Sequence, residues 1–164
     1  MPADKETIRS VIGSLKIQRR EQDAARLQED IDRRAALELQ ETERIKNLKE
    51  MTKRWVDTML AAGSPGAELI TYEKKSRFLK ARVETFGWPV ASLADPVFEF
   101  YGHRSDLLYL LADGMFIIAS ESNNQCQGQP YELSPNPSSY RRDMEDQIPA
   151  RISAIAEKNG IDWS

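Results

Sequence analysis

The chain has 164 residues, of which 40% are hydrophobic and 30% charged, and its formal net charge is −3. That length accommodates one domain with a real core plus an extended element, and the apolar share is too high for wholesale disorder. The charge excludes a global basic field that would recruit nucleic acid or an anionic surface, and the single cysteine, Cys126, excludes an internal disulfide.

The start, Met-Pro-Ala-Asp-Lys-Glu, carries neither the basic nor the apolar region of a signal peptide. No run approaches the roughly 20 apolar residues of a membrane span. The expectation is a cytoplasmic protein with no membrane association.

Charge density divides the chain at Gly63-Ser64-Pro65-Gly66. Residues 1–62 hold 13 Lys/Arg and 12 Asp/Glu, whereas residues 63–164 hold seven of the eight prolines and seven of the eight glycines. Good helix formers dominate from Leu15 to Leu60, with ion pairs one turn apart such as Glu29/Arg33 and Asp30/Arg34. Residues 1–62 are therefore expected to form a long charged helix, a candidate coiled coil for oligomerisation or docking. Gly13 is expected to bend or interrupt an early apolar turn of Ile8, Val11, Ile12 and Leu15.

From Ile45 the apolar positions follow a heptad through Leu48, Thr52, Trp55 and Met59; upstream the stripe thins to Leu27, Ile31, Ala35 and Leu39. A helix with so thin a stripe needs a partner surface. Ile45, Leu48, Trp55, Val56, Met59 and Leu60 are the candidate interface.

Residues 63–164 read as a small α+β domain. A second helix is expected from about Pro65 to Phe86, with Leu69, Tyr72, Ser76, Leu79, Val83 and Phe86 on one seam, stopped by Gly87-Trp88-Pro89. A three- or four-stranded antiparallel meander follows. Its strands are Val97–Tyr101, Leu107–Leu111 and Met115–Ala119, with Asp113-Gly114 as a hairpin turn and Tyr131-Glu132-Leu133 as a short edge strand. Two continuously apolar strands require cover on both faces. The polar stretch 120–138 is longer than an ordinary connection. The last helix carries Tyr140, Met144, Ile148, Ile152 and Ile155 on one stripe; Pro149 kinks or restarts it, and Asn159-Gly160-Ile161 is a Schellman stop.

Catalytic signatures are missing: no phosphate-cradling glycine loop, no dinucleotide fingerprint, no nucleophile elbow. With one histidine and one cysteine a Cys/His zinc site cannot be completed in one chain. No catalytic, cofactor-binding or metal residue is expected, and no cofactor. Cys126 and His103 are the one nucleophile–base pair to weigh, and a turn histidine with an incidental loop cysteine accounts for both. Lys74, Lys75, Arg77, Lys80 and Arg82 form a basic cluster on the expected second helix, a candidate contact for an anion or a partner.

The functional reading is a non-enzymatic protein-interaction factor (adaptor, chaperone-like factor, inhibitor or regulator) that self-associates through its N-terminal helix and binds another protein. The alternatives are a nucleic-acid-associated regulator using the basic segment 73–82, and a small-ligand sensor or enzyme with a pocket between sheet and helix.

Overall fold

The computed structural model describes residues 4–94, 105–120 and 126–163. The fold class is α+β: a long N-terminal helix, a five-stranded antiparallel sheet and a helical C-terminus. The chain forms two compact units, Met1–Glu43 and Arg44–Ser164. Helix α1, Lys5–Ala61, makes up the first unit and supplies the opening element of the second. Gly13 does not interrupt it, since one glycine costs a helix only about 1 kcal/mol and the helix continues on both sides. Glycine ends it as expected. Gly63, at φ +85°, donates to the Leu60 carbonyl at 3.1 Å and Ser64 to that of Met59 at 2.8 Å, the Schellman pattern.

Beyond that point the expected second helix is absent. Ser64-Pro65 makes a turn in which the Pro65 carbonyl accepts the Trp88 indole N–H at 3.0 Å, and residues 68–94 form a hairpin of β1 (Glu68–Lys75) and β2 (Lys80–Ala94). Ala81, Val83 and Thr85 alternate with Arg82 and Glu84 at period 2, which the helical seam passes over, and β-branched Ile70, Thr71, Val83 and Thr85 favour the pleated surface. Nor does Gly87-Trp88-Pro89 terminate the element. Pro89 stands where the register against β3 shifts, so its missing N–H interrupts no regular ladder.

β3 (Ser105–Leu111) and β4 (Phe116–Ser120) flank the Asp113-Gly114 turn as the sequence indicates. β5 (Cys126–Tyr131) comes earlier than the edge strand expected at 131–133, and it is built of polar residues. The sheet order β1-β2-β3-β4-β5 is a five-stranded meander rather than one of three or four. The strand expected at Val97–Tyr101, His103 and part of the 120–138 stretch lie outside the described residues. α2 (Ser139–Glu145) and α3 (Ile148–Lys158) are the last helix restarted at Pro149, which sits in the first turn of α3. Gly160, at φ +68°, closes α3 with bonds from Gly160 to Glu157 and Ile161 to Ala156.

Both sheet faces are covered, as continuously apolar strands require. On one, Trp88, Val90, Leu108, Leu110 and Phe116 pack against Ile45, Leu48, Trp55, Val56 and Met59 of α1 and against Met144, Ile148 and Ile152 of α2 and α3. On the other, Ile70, Tyr109, Leu111, Ile117 and Ala119 form a smaller cluster over which the sheet curls, bringing β1 beside β5. Among the described residues no helix is long and apolar enough to cross a membrane.

The first unit buries nothing of the kind. Ile8, Val11, Ile12, Leu15, Ile17, Leu27, Ile31, Leu37 and Leu39 are all exposed. At about 100° per residue, Ile8, Val11, Ile12 and Leu15 share one side of this helix, while Ile17, Ala24, Leu27 and Ile31 share the roughly opposite side.

Candidate functional site

The six interface candidates part company. Ile45, Leu48, Trp55, Val56 and Met59 are buried within the second unit's own core, and only Leu60 is exposed. Trp55 is the clearest case: it is 0% exposed, its indole N–H donates to the Ile152 carbonyl at 3.0 Å, and it meets Trp88 edge-on at 5.1 Å. A heptad stripe reports that a face is covered; here the chain's own sheet and helices cover it.

The basic cluster sits on a ribbon end, not around a helix. β1 and β2 pair from Glu68↔Gly87 to Lys75↔Lys80, and Arg77-Phe78 form the tip. Ser76 closes the tip: its N–H donates to the Leu79 carbonyl at 2.9 Å and its Oγ accepts from the Leu79 N–H at 3.2 Å. Strand alternation places Lys75, Lys80 and Arg82 on one face with Glu73 opposite Arg82, and Lys74 on the other face. Like charges directly opposite one another, as at Lys75/Lys80, are destabilising in a sheet. None of the five cations has an ion pair among the described residues.

Phe78 and Leu79 complete the tip at 89% and 73% exposed. They escaped the sequence reading because a helical assignment placed Leu79 on a buried seam. The signal that would have found them is a polar-flanked Ser-Arg-Phe-Leu between two segments rich in β-branched residues. Beside this end lies an open concavity of about 740 Å³, lined among others by Tyr72, Lys75, Lys80, Arg82, Cys126 and Gln129. The Gln129 amide donates to the Glu73 carbonyl and ties β5 to β1.

Burial pushes the Cys126 thiol above its ordinary range, the opposite of what an activated nucleophile needs. His103, its proposed base, lies outside the described residues. A second concavity, about 330 Å³, is lined among others by Val56, Phe116 and Leu133 and by Lys49 and Glu132, which pair at 3.5 Å. Among the described residues no group of three or more His, Cys, Asp or Glu is placed to hold a metal.

The remaining polar contacts fasten the helices to one another and to the sheet. Glu145, 1% exposed, accepts from Arg44 at 3.1 Å, and Asp146 accepts from the same guanidinium at 3.2 Å. The Gln147 side-chain amide mimics a strand, accepting from the Ser92 N–H at 3.1 Å and donating to its carbonyl at 2.9 Å. Tyr140 donates to Asp106. Tyr131 packs under Arg141 at 4.1 Å, and its hydroxyl has no hydrogen-bond partner among the described residues. Burial pushes the Tyr131 hydroxyl up to about 12; Arg141 opposes the shift and Glu145 adds to it. Compared with known proteins, the chain matches no family model, no curated protein and no solved structure.

Proposed function

We propose that the chain is a non-enzymatic protein-interaction factor of the cytoplasm that self-associates through the helix of its first unit. The observation that carries the reading is the bare seam Ile17, Ala24, Leu27, Ile31, whose large members are each at least half exposed. Isolated helices are marginal in water, and most helical stability comes from packing an apolar face. This seam has the 7-3-4 spacing of a coiled coil and nothing in the first unit to pack on.

Charge supports a second copy as the occupant. Residues 4–20 carry five Lys/Arg against two Asp/Glu, while residues 21–43 carry three Lys/Arg against eight Asp/Glu. Two such helices running antiparallel, centred near Ala24, set the basic part of each against the acidic part of the other. Parallel pairing would align like with like. The patch Ile8, Val11, Ile12 and Leu15, on the other side of the helix, is then left for a different protein.

Light scattering on the eluting full-length chain tests the reading. The expected mass is a multiple of 18.7 kDa, reduced to the monomer by Leu27→Asp/Ile31→Asp. A monomeric wild-type chain at 100 μM or so would remove the proposal, because burial of a seam this size must show at that concentration.

A further inference from the structure

We propose that the end of the β1–β2 ribbon docks on an anionic lipid bilayer, with Phe78 and Leu79 entering the interfacial layer and the surrounding cations meeting the headgroups. A membrane does not follow from spans or from overall charge, and the ribbon end depends on neither. Three observations converge on it.

The apex presents two large apolar side chains, nearly wholly in water, beside Arg77. Its backbone is partly self-satisfied through the Ser76–Leu79 bonds, which lowers the penalty of moving it toward a less polar medium. Lys75 and Lys80 stand two residues behind the Arg77-Phe78 tip on either strand, about 7 Å at the strand rise, with Leu79 between that tip and Lys80. That matches the depth of roughly 5–10 Å to which interfacial apolar groups are buried, so the two cations fall at headgroup level when Phe78 is immersed and Leu79 lies shallower behind it.

The positive field is confined to the ribbon's end. Behind the cations come Glu73 and Glu84, with Glu73 opposite Arg82 and Glu84 opposite Thr71 on that same face. A ribbon lying lengthwise in a nucleic-acid groove would press these carboxylates onto phosphates. Contact made tip-first with a planar anionic surface keeps them away from it. Charge complementarity and shape thus favour lipid over nucleic acid, and the unrelieved Lys75/Lys80 repulsion is removed when anionic headgroups come between them.

The test is co-flotation of the full-length chain with extruded vesicles of phosphatidylcholine alone and of phosphatidylcholine with 30% phosphatidylserine. Binding is expected on the anionic vesicles only, weakening as salt rises from 0.1 to 0.5 M. Lys75→Ala/Lys80→Ala is expected to weaken it about thirtyfold, each cation near a surface being worth about fivefold. Phe78→Ser/Leu79→Ser is expected to weaken it at least tenfold, and Lys75→Arg/Lys80→Arg to retain it. Phe78→Trp adds a direct readout, an emission blue shift on binding. All substituted side chains are exposed, so each variant keeps the fold. Equal binding to neutral vesicles, no vesicle binding at all, or tip variants that bind like wild type would overturn the proposal. So would tip-dependent capture of a 30-nucleotide single strand or duplex in place of vesicles.

Discussion

Replacing Trp55 tests whether the last turns of α1 belong to the second unit's core or to a contact between copies. Truncating a fully buried tryptophan to alanine removes about 3–5 kcal/mol. That is a large share of the roughly 5–15 kcal/mol that holds a domain together, so Trp55→Ala leaves the second unit near its threshold. Trp55→Phe is the measurable variant. It loses the indole bond to Ile152, about 1 kcal/mol net, and part of the edge-on contact with Trp88, about 1 kcal/mol more. With a urea slope of about 2 kcal/mol/M, the midpoint should fall by about 1 M. The assay is urea unfolding followed by circular dichroism at two protein concentrations tenfold apart. An intramolecular contact makes the difference between variant and wild type equal at both. A shift under about 0.3 M, at a slope of that order, would refute the packing argument, and one that grows on dilution would put Trp55 between copies.

Removing Arg44 leaves Glu145 buried without its guanidinium, so Arg44→Met should cost about 3 kcal/mol. A double-mutant cycle with Glu145→Gln should return a coupling above about 1 kcal/mol, and additivity would mean that the pair is idle. Tyr131→Phe removes a hydroxyl without a partner and should leave stability unchanged or raise it by up to about 1 kcal/mol; a clear loss in thermal unfolding would contradict this. Burial raises the Tyr131 hydroxyl from 10 to about 12 in the fold, so stability is unaffected by this group below pH 10 and falls as pH rises toward 12, where the unfolded chain ionises first. Ultraviolet titration should accordingly show one late tyrosine, absent from Tyr131→Phe.

What was legible in the sequence is what local chemistry dictates. Gly63 and Gly160 end helices because the residue at that point must take a left-handed conformation. Asp113-Gly114 between two apolar runs makes a hairpin, and Pro149 starts a helix where its missing N–H costs nothing. Residues 65–86 misled because Leu69, Tyr72, Leu79, Val83 and Phe86 satisfy a helical seam. The β-branched excess at Ile70, Thr71, Val83 and Thr85 is a local signal that points the other way, whereas the pairing with β3 depends on a neighbour that no local window contains. β5 was hidden for a related reason, since Cys126–Tyr131 has almost no apolar pattern and takes its conformation from β4.

The candidate site followed the same division. The cations at 74–82 were visible as residues, but their concentration at one end of a ribbon, with Phe78 and Leu79 at its apex, exists only once the hairpin is formed. The stripe Ile45–Met59 reads in the sequence as an interface for a partner, and the chain's own sheet and helices cover it instead. What covers it, a sheet starting with strands that were themselves misread, could not be deduced from the helix alone.

Self-association through the first unit is tested most directly by a distance between copies. A Cys126→Ser/Ser14→Cys chain carries one label site, on the exposed helix ten residues before Ala24. Double electron–electron resonance on the spin-labelled protein should give an intermolecular distance of about 30 Å, from the 1.5 Å rise per residue along two antiparallel helices centred near Ala24 and the ~10 Å between their axes. Dipolar broadening of the continuous-wave spectrum, the mark of labels about 10–15 Å apart, would mean parallel helices and would contradict the charge argument. No dipolar coupling at all would contradict self-association itself.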